Sequence, residues 1–220
     1  MKTVIFDMDG VIVESEDFHC DAWIKTYTAI GIPIDRTYYF SKICGKHGLV
    51  STRLVLEEFN HLSKEDVQFR ELLIMKKDHL AGDMMRGTIQ PRNGVVALIH
   101  QLSTGGYKLG LGSTTSMVAV NAVLSTLNID DKFNVIIGGE GVKVGKPHPE
   151  VYLKIAHLLE EDPYHCVVIE DSKTGITAAK SAGMKCIAIL NSRNTAEELQ
   201  HADLIAGSFS EITPEVIERL

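Results

Sequence analysis

Residues 1–16 read MKTVIFDMDGVIVESE. The run at 3–6 is short and almost wholly apolar, as expected of a strand covered on both faces of a parallel sheet. It ends in Asp7 and Asp9, two positions apart, followed by Gly10. Successive strand residues project to opposite faces, so residues two apart can share a direction where the strand ends. A glycine at that point lets the chain turn sharply into the next loop.

Working outward, similar apolar runs recur at 108–112, 134–137, 166–169, 185–190 and 204–206. Helical patterns lie between them. One at 95–102 ends before Gly105-Gly106, and one at 117–127 follows a Ser/Thr cluster. A third at 149–159 has Pro149 in its first turn, and a fourth at 174–182 stops at Gly183. These are ordinary helix start and stop signals. Strand and helix alternating in this way predict a doubly wound α/β core around a parallel sheet.

The alternation breaks between residue 16 and about residue 86, where no strand is expected. The pattern at 17–30 predicts an amphipathic helix with Phe18, Ala22, Trp23, Tyr27 and Ile30 on one side and Gly31 as its stop. A second helix is expected at 51–59. Ser63 with Asp66 resembles a capping box for a third at 64–81. The expected organisation is therefore a core made of residues 1–15 and 87–220, with residues 16–86 inserted as a helical domain.

Polar residues cluster where the core strands end. After the first come Asp7 and Asp9; after the second, Ser113-Thr114-Thr115; after the third, Gly138-Gly139-Glu140 and then Gly145-Lys146-Pro147; after the fourth, Glu170-Asp171-Ser172. Ligands of open parallel sheets bind beyond the carboxyl ends of the strands, so four clusters are expected to meet in one site. Several carboxylates close together need a counter-charge, and hard oxygen ligands in that number suit Mg²⁺. A lysine opposite them can hold an anion, and hydroxyls and main-chain N–H groups can bind phosphate oxygens. The chemistry implied is phosphoryl transfer, with Asp7 as a carboxylate nucleophile, Asp9 as general acid and base, and a Mg²⁺ clamp.

Bulk properties narrow the field of partners. The formal net charge is −7 over 220 residues, a poor basis for binding nucleic acid or an anionic membrane. No apolar run reaches the ~18–20 residues of a membrane span. Asp7 and Asp9 interrupt the first apolar stretch, so it does not read as a signal peptide. Cys20, Cys44, Cys166 and Cys186 are scattered without a C-x-x-C pair, which predicts free thiols in a reducing compartment, the cytoplasm.

Taken together, the clusters are similar to the four motifs of the haloacid dehalogenase superfamily, in its phosphatase and β-phosphoglucomutase-like branch. Asp7-x-Asp9-Gly10-Val11 resembles the first motif, Ser113-Thr114 the second and Lys146 in Gly-Lys-Pro the third. Glu170-Asp171-Ser172 with Gly175-Ile176 resembles the fourth. The resemblance spans nearly the whole chain and implies a Rossmann-like core with a mobile helical cap, for which residues 16–86 are the candidate. It further implies that Asp7 is nucleophile and Mg²⁺ ligand, and that Asp9 is general acid/base and binds the ion through its main-chain carbonyl. Ser113, Thr114 and Lys146 would hold the transferring phosphoryl group. Asp171 would be a metal ligand, and Glu170 either a ligand or a helper behind one. An aspartate at position 9 favours phosphate-ester chemistry over C–Cl or C–P cleavage.

The substrate side is read from the cap. The stretch Ser15–Trp23, with His19 and Trp23, is similar to β-phosphoglucomutase and its sugar-phosphatase relatives. The mutase also carries an arginine in a cap loop, which corresponds here to Cys44-Gly45-Lys46-His47-Gly48 and lacks it. His19, Lys46, His47 and Arg53 are the candidate cap and specificity residues. Hydrolysis of a small phosphorylated metabolite, a sugar phosphate in particular, is expected first, and a phosphomutase of the β-phosphoglucomutase type second.

Overall fold

The structure is a computed structural model describing residues 3–44, 48–59, 66–86 and 89–220. In chain order it contains β1 (Thr3–Phe6), α1 (Glu16–Ala29) and the short α2 (Arg36–Tyr38), which runs into a π-helical turn at Tyr39–Ile43. Next come α3 (Gly48–Glu58), α4 (Asp66–Arg86), α5 (Val95–Thr104), β2 (Lys108–Gly112) and α6 (Met117–Leu127). The chain continues with β3 (Val135–Ile137), α7 (Glu150–Leu158), β4 (Cys166–Glu170), α8 (Lys173–Ser181), β5 (Lys185–Ile189), β6 (Leu204–Ala206) and α9 (Pro214–Arg219). Two compact units result, Met1–Glu14 with Ile89–Leu220, and Ser15–Thr88.

The first unit is built on a six-stranded sheet in the order β3-β2-β1-β4-β5-β6, with every neighbouring pair parallel. This is the α/β, Rossmann-like arrangement expected from the alternating pattern. All residues of β1 and β4 are buried, because helices cover both faces of the sheet. On one face Ile5, Val168, Cys186 and Ala188 pack with Val151, Tyr152 and Ile155 of α7 and with Ile176 and Ala179 of α8. Helix α5 packs on β2 and buries Val95, Leu98, Ile99 and Leu102, spaced as one face of a helix. Each such aliphatic side chain contributes about 1.5–3 kcal/mol on burial. From β1 the sheet grows to one side through β2 and β3; the chain then crosses back through α7 and lays β4 on the other side of β1. Strand order therefore reverses at β1, and such reversals leave a crevice at the carboxyl ends of the strands.

In the second unit α1 packs on α4, and α3 packs on α4. Its core includes Cys20, Trp23, Tyr27, Ile32, Val55, Leu56 and Leu72. Trp23 and Tyr27 stack at 5.2 Å between ring centroids. On α1, Cys20 and Thr26 are buried with Ala22, Trp23 and Tyr27, whereas Phe18 and Ile30 are half-buried. Helix α3 starts at Gly48, ahead of the expected 51. Helix α4 runs through Gly82 to Arg86 rather than stopping at 81. Burial of Leu80, Ala81 and Met84 outweighs the ~1 kcal/mol propensity cost of one glycine. Ser63, the expected cap of this helix, lies outside the described residues. The four cysteines are free thiols, three of them buried. Among the described residues no helix is long and apolar enough to cross a membrane.

Candidate active site

Four strand ends of the first unit bring the polar clusters together. Asp7 continues β1 by donating its N–H to Ile169 O of β4 (3.0 Å), and its side chain is 9% exposed. Met8 is fully buried, and its carbonyl accepts from Val11, Ile12 and Val13. The chain thus turns tightly straight after Asp7, with Asp9 inside the turn. Gly10 makes the turn at φ +77°, and a Cβ there would lie 1.9 Å from Asp171 Oδ2. The glycine is required both for its backbone conformation and for the approach of Asp171.

Ser113 and Thr115, after β2, converge on Asp9. The Ser113 hydroxyl donates to Asp9 Oδ2 at 3.1 Å and the Thr115 hydroxyl to the same oxygen at 2.8 Å. The Thr115 N–H donates to Ser113 Oγ at 2.9 Å. Thr114 lies exposed between them, and the segment leads through the Ser116 cap into α6.

Lys146 stands at the centre. Its Nζ donates to Asp7 Oδ1 at 2.7 Å, to Glu170 Oε1 at 2.7 Å and to Gly112 O at 3.2 Å. These three acceptors match the three protons of an ammonium. The ring of Tyr152 lies 4.9 Å from Nζ. Burial alone pulls the lysine pKa down, but Asp7 and Glu170 outweigh it and hold Lys146 above its ordinary value.

Glu170, the last residue of β4, is fully buried. Its Oε1 accepts from Lys146 and from the Tyr152 hydroxyl (2.8 Å). Its Oε2 accepts from the N–H groups of Asp171 (2.9 Å) and Ser172 (3.1 Å) and from the Ser172 hydroxyl (3.0 Å). Burial pushes Glu170 up, but the charge of Lys146 and these hydrogen bonds bring it below the ordinary carboxylate value. Gly175, in the first turn of α8, leaves room for the carboxylate, since a Cβ would meet Glu170 Oε1 at 1.6 Å. Asp171 follows and accepts from Asn191 Nδ2 at 2.8 Å.

Asp7, Glu170 and Asp171 each offer an oxygen within 4.8 Å of the others, which is metal-binding geometry. The donor sets separate them. Glu170 receives five donors, more than the roughly four lone-pair sites of a carboxylate, and so fits a supporting role better than direct ligation. For Asp7 and Asp171 the ionised form is under-compensated. Burial, then the neighbouring Glu170, Asp9 and Asp171 charges, push Asp7 well up against the pull of Lys146. Burial and then Glu170 push Asp171 to about 8. A divalent cation relieves that repulsion, and the residues present fit one.

The remaining candidates belong to the second unit's stretch of chain. His19 is on α1 in the second unit, where its Nδ1 is 2.9 Å from Lys76 Nζ. Arg53 is exposed on α3, in an open groove of about 550 Å³ shared with Leu49, Leu54, Phe69 and Arg70. Lys46 and His47 fall outside the described residues. Several polar contacts were not anticipated. Thr115 sits inside the Ser/Thr cluster but reaches a different partner from the one expected of its neighbours. Tyr152 sits on the apolar face of α7 and reads as core. Asn191 and Asn194 follow β5, where the rule that polar residues mark strand ends also applies.

Comparison with known proteins bears on the family and the fold. A family model described as haloacid dehalogenase-like hydrolase matches residues 1–183. A phosphorylated carbohydrates phosphatase of Thermotoga maritima is 30% identical over 99% of this chain and 96% of its own length. The β-phosphoglucomutase of Bacillus subtilis is 29% identical over 99% of this chain and 94% of its own. Among solved structures, CbbY from Rhodobacter sphaeroides in complex with phosphate superposes with a TM-score of 0.86 at 28% identity, covering 100% of both chains.

Proposed function

The chain belongs to the haloacid dehalogenase-like hydrolase family, and we propose that it is a Mg²⁺-dependent phosphatase of a small phosphorylated metabolite, a sugar phosphate in particular. The observation that carries this is the buried Lys146 bridging Asp7 and Glu170, each at 2.7 Å, with Asp9 two residues beyond Asp7 and held by Ser113 and Thr115. The relatives of T. maritima and B. subtilis, by their names, act on phosphorylated carbohydrates, which supports the substrate class.

Lys146 holds Asp7 Oδ1, which leaves Oδ2 to attack phosphorus. The P–O bond to the alcohol breaks, and Asp9 gives its proton to the departing oxygen, leaving phosphate esterified to Asp7. Asp9, now a carboxylate, takes a proton from water; the water oxygen attacks phosphorus, and the bond to Asp7 breaks to release phosphate. Ser113 and Thr114 receive the phosphoryl oxygens through their hydroxyl and main-chain N–H groups. The 3.2 Å bond from Lys146 to Gly112 O is the weakest of its three and can be exchanged for one to phosphate. Glu170 keeps Lys146 charged and in place. Asp7, Asp171 and the carbonyl of Asp9 would hold Mg²⁺, which when bound neutralises charge between the carboxylates and the phosphoryl oxygens. The four free thiols support the cytoplasm as the setting, and the net charge of −7 supports a small-molecule substrate over nucleic acid or membrane. Residues 16–86 are the proposed cap, with His19, Lys46, His47 and Arg53 as proposed specificity residues.

Likeness to β-phosphoglucomutase over nearly the whole chain favours one alternative. In a phosphomutase the same aspartyl-phosphate passes its phosphoryl group to a second sugar hydroxyl instead of water. The test is a panel of sugar phosphates and other phosphomonoesters, with Mg²⁺ or EDTA, using the parent and Asp7→Asn. Mg²⁺-dependent phosphate release lost in Asp7→Asn supports the phosphatase. Isomerised sugar phosphate without phosphate release supports the mutase, and neither product overturns both.

A further inference from the structure

A fifth strand end also feeds the site. After β5 the chain reads Leu190-Asn191-Ser192-Arg193-Asn194, and two of its amide side chains converge on Asp171. Asn191 Nδ2 donates to Asp171 Oδ2 at 2.8 Å. Asn194 Nδ2 donates to the main-chain carbonyls of Asp171 (2.8 Å) and Ile189 (3.2 Å). The amide oxygens are occupied as well. Asn194 Oδ1 accepts from the Asn191 N–H (2.9 Å) and Asn191 Oδ1 from the Arg193 N–H (2.8 Å). Because each oxygen takes a main-chain N–H, neither amide can flip, and both NH₂ groups must face Asp171.

Arg92 locks this loop to the turn after β1. Its Nη2 donates to Leu190 O and its Nη1 to Gly10 O, both at 2.6 Å. Its guanidinium carbon also lies 5.4 Å from the centroid of the Phe209 ring. The loop is thus anchored at Leu190, the residue before Asn191.

We propose that Asn191 is a positioning residue of this site: it holds the Asp171 carboxylate in the orientation that meets the metal, with Asn194 holding the Asp171 main chain behind it. The proposal rests on Asp171 being a Mg²⁺ ligand. Asp171 follows the last β4 residue and has its own torsions to settle. A donor on Oδ2 restrains those torsions and so sets the direction of the carboxylate. Partners that orient metal-binding side chains typically govern ~10–100-fold in metal affinity.

The test measures Mg²⁺ binding by calorimetry on the full chain, for the parent, Asn191→Ala, Asn191→Leu and Asp171→Asn. Metal-free melting and circular dichroism serve as the check on folding. The expected result is a Mg²⁺ Kd raised about 10-fold or more in both Asn191 variants, with turnover restored by excess Mg²⁺. Should Asn191→Ala fail to fold, Asn191→Leu has the same shape without the donor and carries the test. A folded Asn191→Leu with parental Mg²⁺ affinity, beside an Asp171→Asn that has lost it, overturns the proposal. Parental affinity in Asp171→Asn overturns instead the metal-ligand assignment on which it rests.

Discussion

Replacing Lys146 with Met isolates what the buried ammonium does. Methionine keeps most of the stem and removes the charge and three donors. In the parent, Glu170 is ionised within a fully buried pocket and meets Lys146 at 2.7 Å. Without the cation, Glu170 must stay as a poorly compensated anion or take up a proton. Proton uptake sets the ceiling on the cost. For a carboxyl with an unfolded pKa of ~4.3, that ceiling is about 3.7 kcal/mol at pH 7 and about 1 kcal/mol at pH 5. The sign follows from the pKa directions. Glu170 is depressed in the parent, so its contribution to stability is present above the unfolded pKa and is lost as pH falls through the folded value. In the variant the same group is raised, so its cost grows as pH rises. The parent-minus-variant gap therefore opens with pH. Urea unfolding followed by circular dichroism in EDTA, at pH 5 and pH 7, measures it. The expected losses are up to about 4–5 kcal/mol at pH 7 and up to about 1.5–2.5 kcal/mol at pH 5 once a lost hydrogen bond is included. A loss of less than about 1 kcal/mol at pH 7, or the same loss at both pH values, would refute the electrostatic account of this triangle.

Other expectations follow from the same geometry. Thr115→Val keeps shape but removes the 2.8 Å donor to Asp9, and kcat should fall about 10-fold with KM little changed, a modest share of what a positioned acid–base group supplies; steady-state kinetics showing an unchanged kcat would count against Asp9 being held this way. In the metal-free protein Asp171 sits at about 8, so the folded state keeps a proton that an unfolded aspartate releases near ~3.9. Metal-free stability should therefore decline as pH rises across that window, and Mg²⁺ should raise the melting temperature more at pH 8 than at pH 5; an equal rise at both is the contrary result. Trp23→Ala should cost the second unit about 3–5 kcal/mol, since it empties a buried site stacked on Tyr27, and a loss under about 1 kcal/mol in urea unfolding would contradict that packing.

Much of the core was legible in the chain because its strands are short apolar runs closed by polar residues. Val4, Ile5 and Phe6 are fully buried, and Asp7 follows them directly. The order of strands was legible only as parallel alternation; that β1 lies between β2 and β4 depends on crossovers that periodicity does not encode. Asp7, Lys146 and Glu170 could be grouped beforehand because each marks the end of a strand or the loop after one. Tyr152 could not, because a tyrosine on the apolar face of α7 looks like core until its hydroxyl is seen on Glu170. Arg92 and Asn194 were illegible for another reason: they bind main-chain carbonyls, whose positions exist only in the fold. In the helical unit, the continuation of α4 past Gly82 and the meeting of His19 with Lys76 across 57 residues are likewise tertiary effects.

Whether Asp7 becomes phosphorylated is the most direct question. The measurement is mass spectrometry of peptides from enzyme quenched in acid during turnover of the best phosphate ester. The account predicts one phosphoryl group on the peptide containing Asp7, absent from Asp7→Asn and removed on a chase without substrate. Turnover with an Asp7 peptide that stays unmodified throughout, or with the phosphoryl group on another side chain, would contradict it.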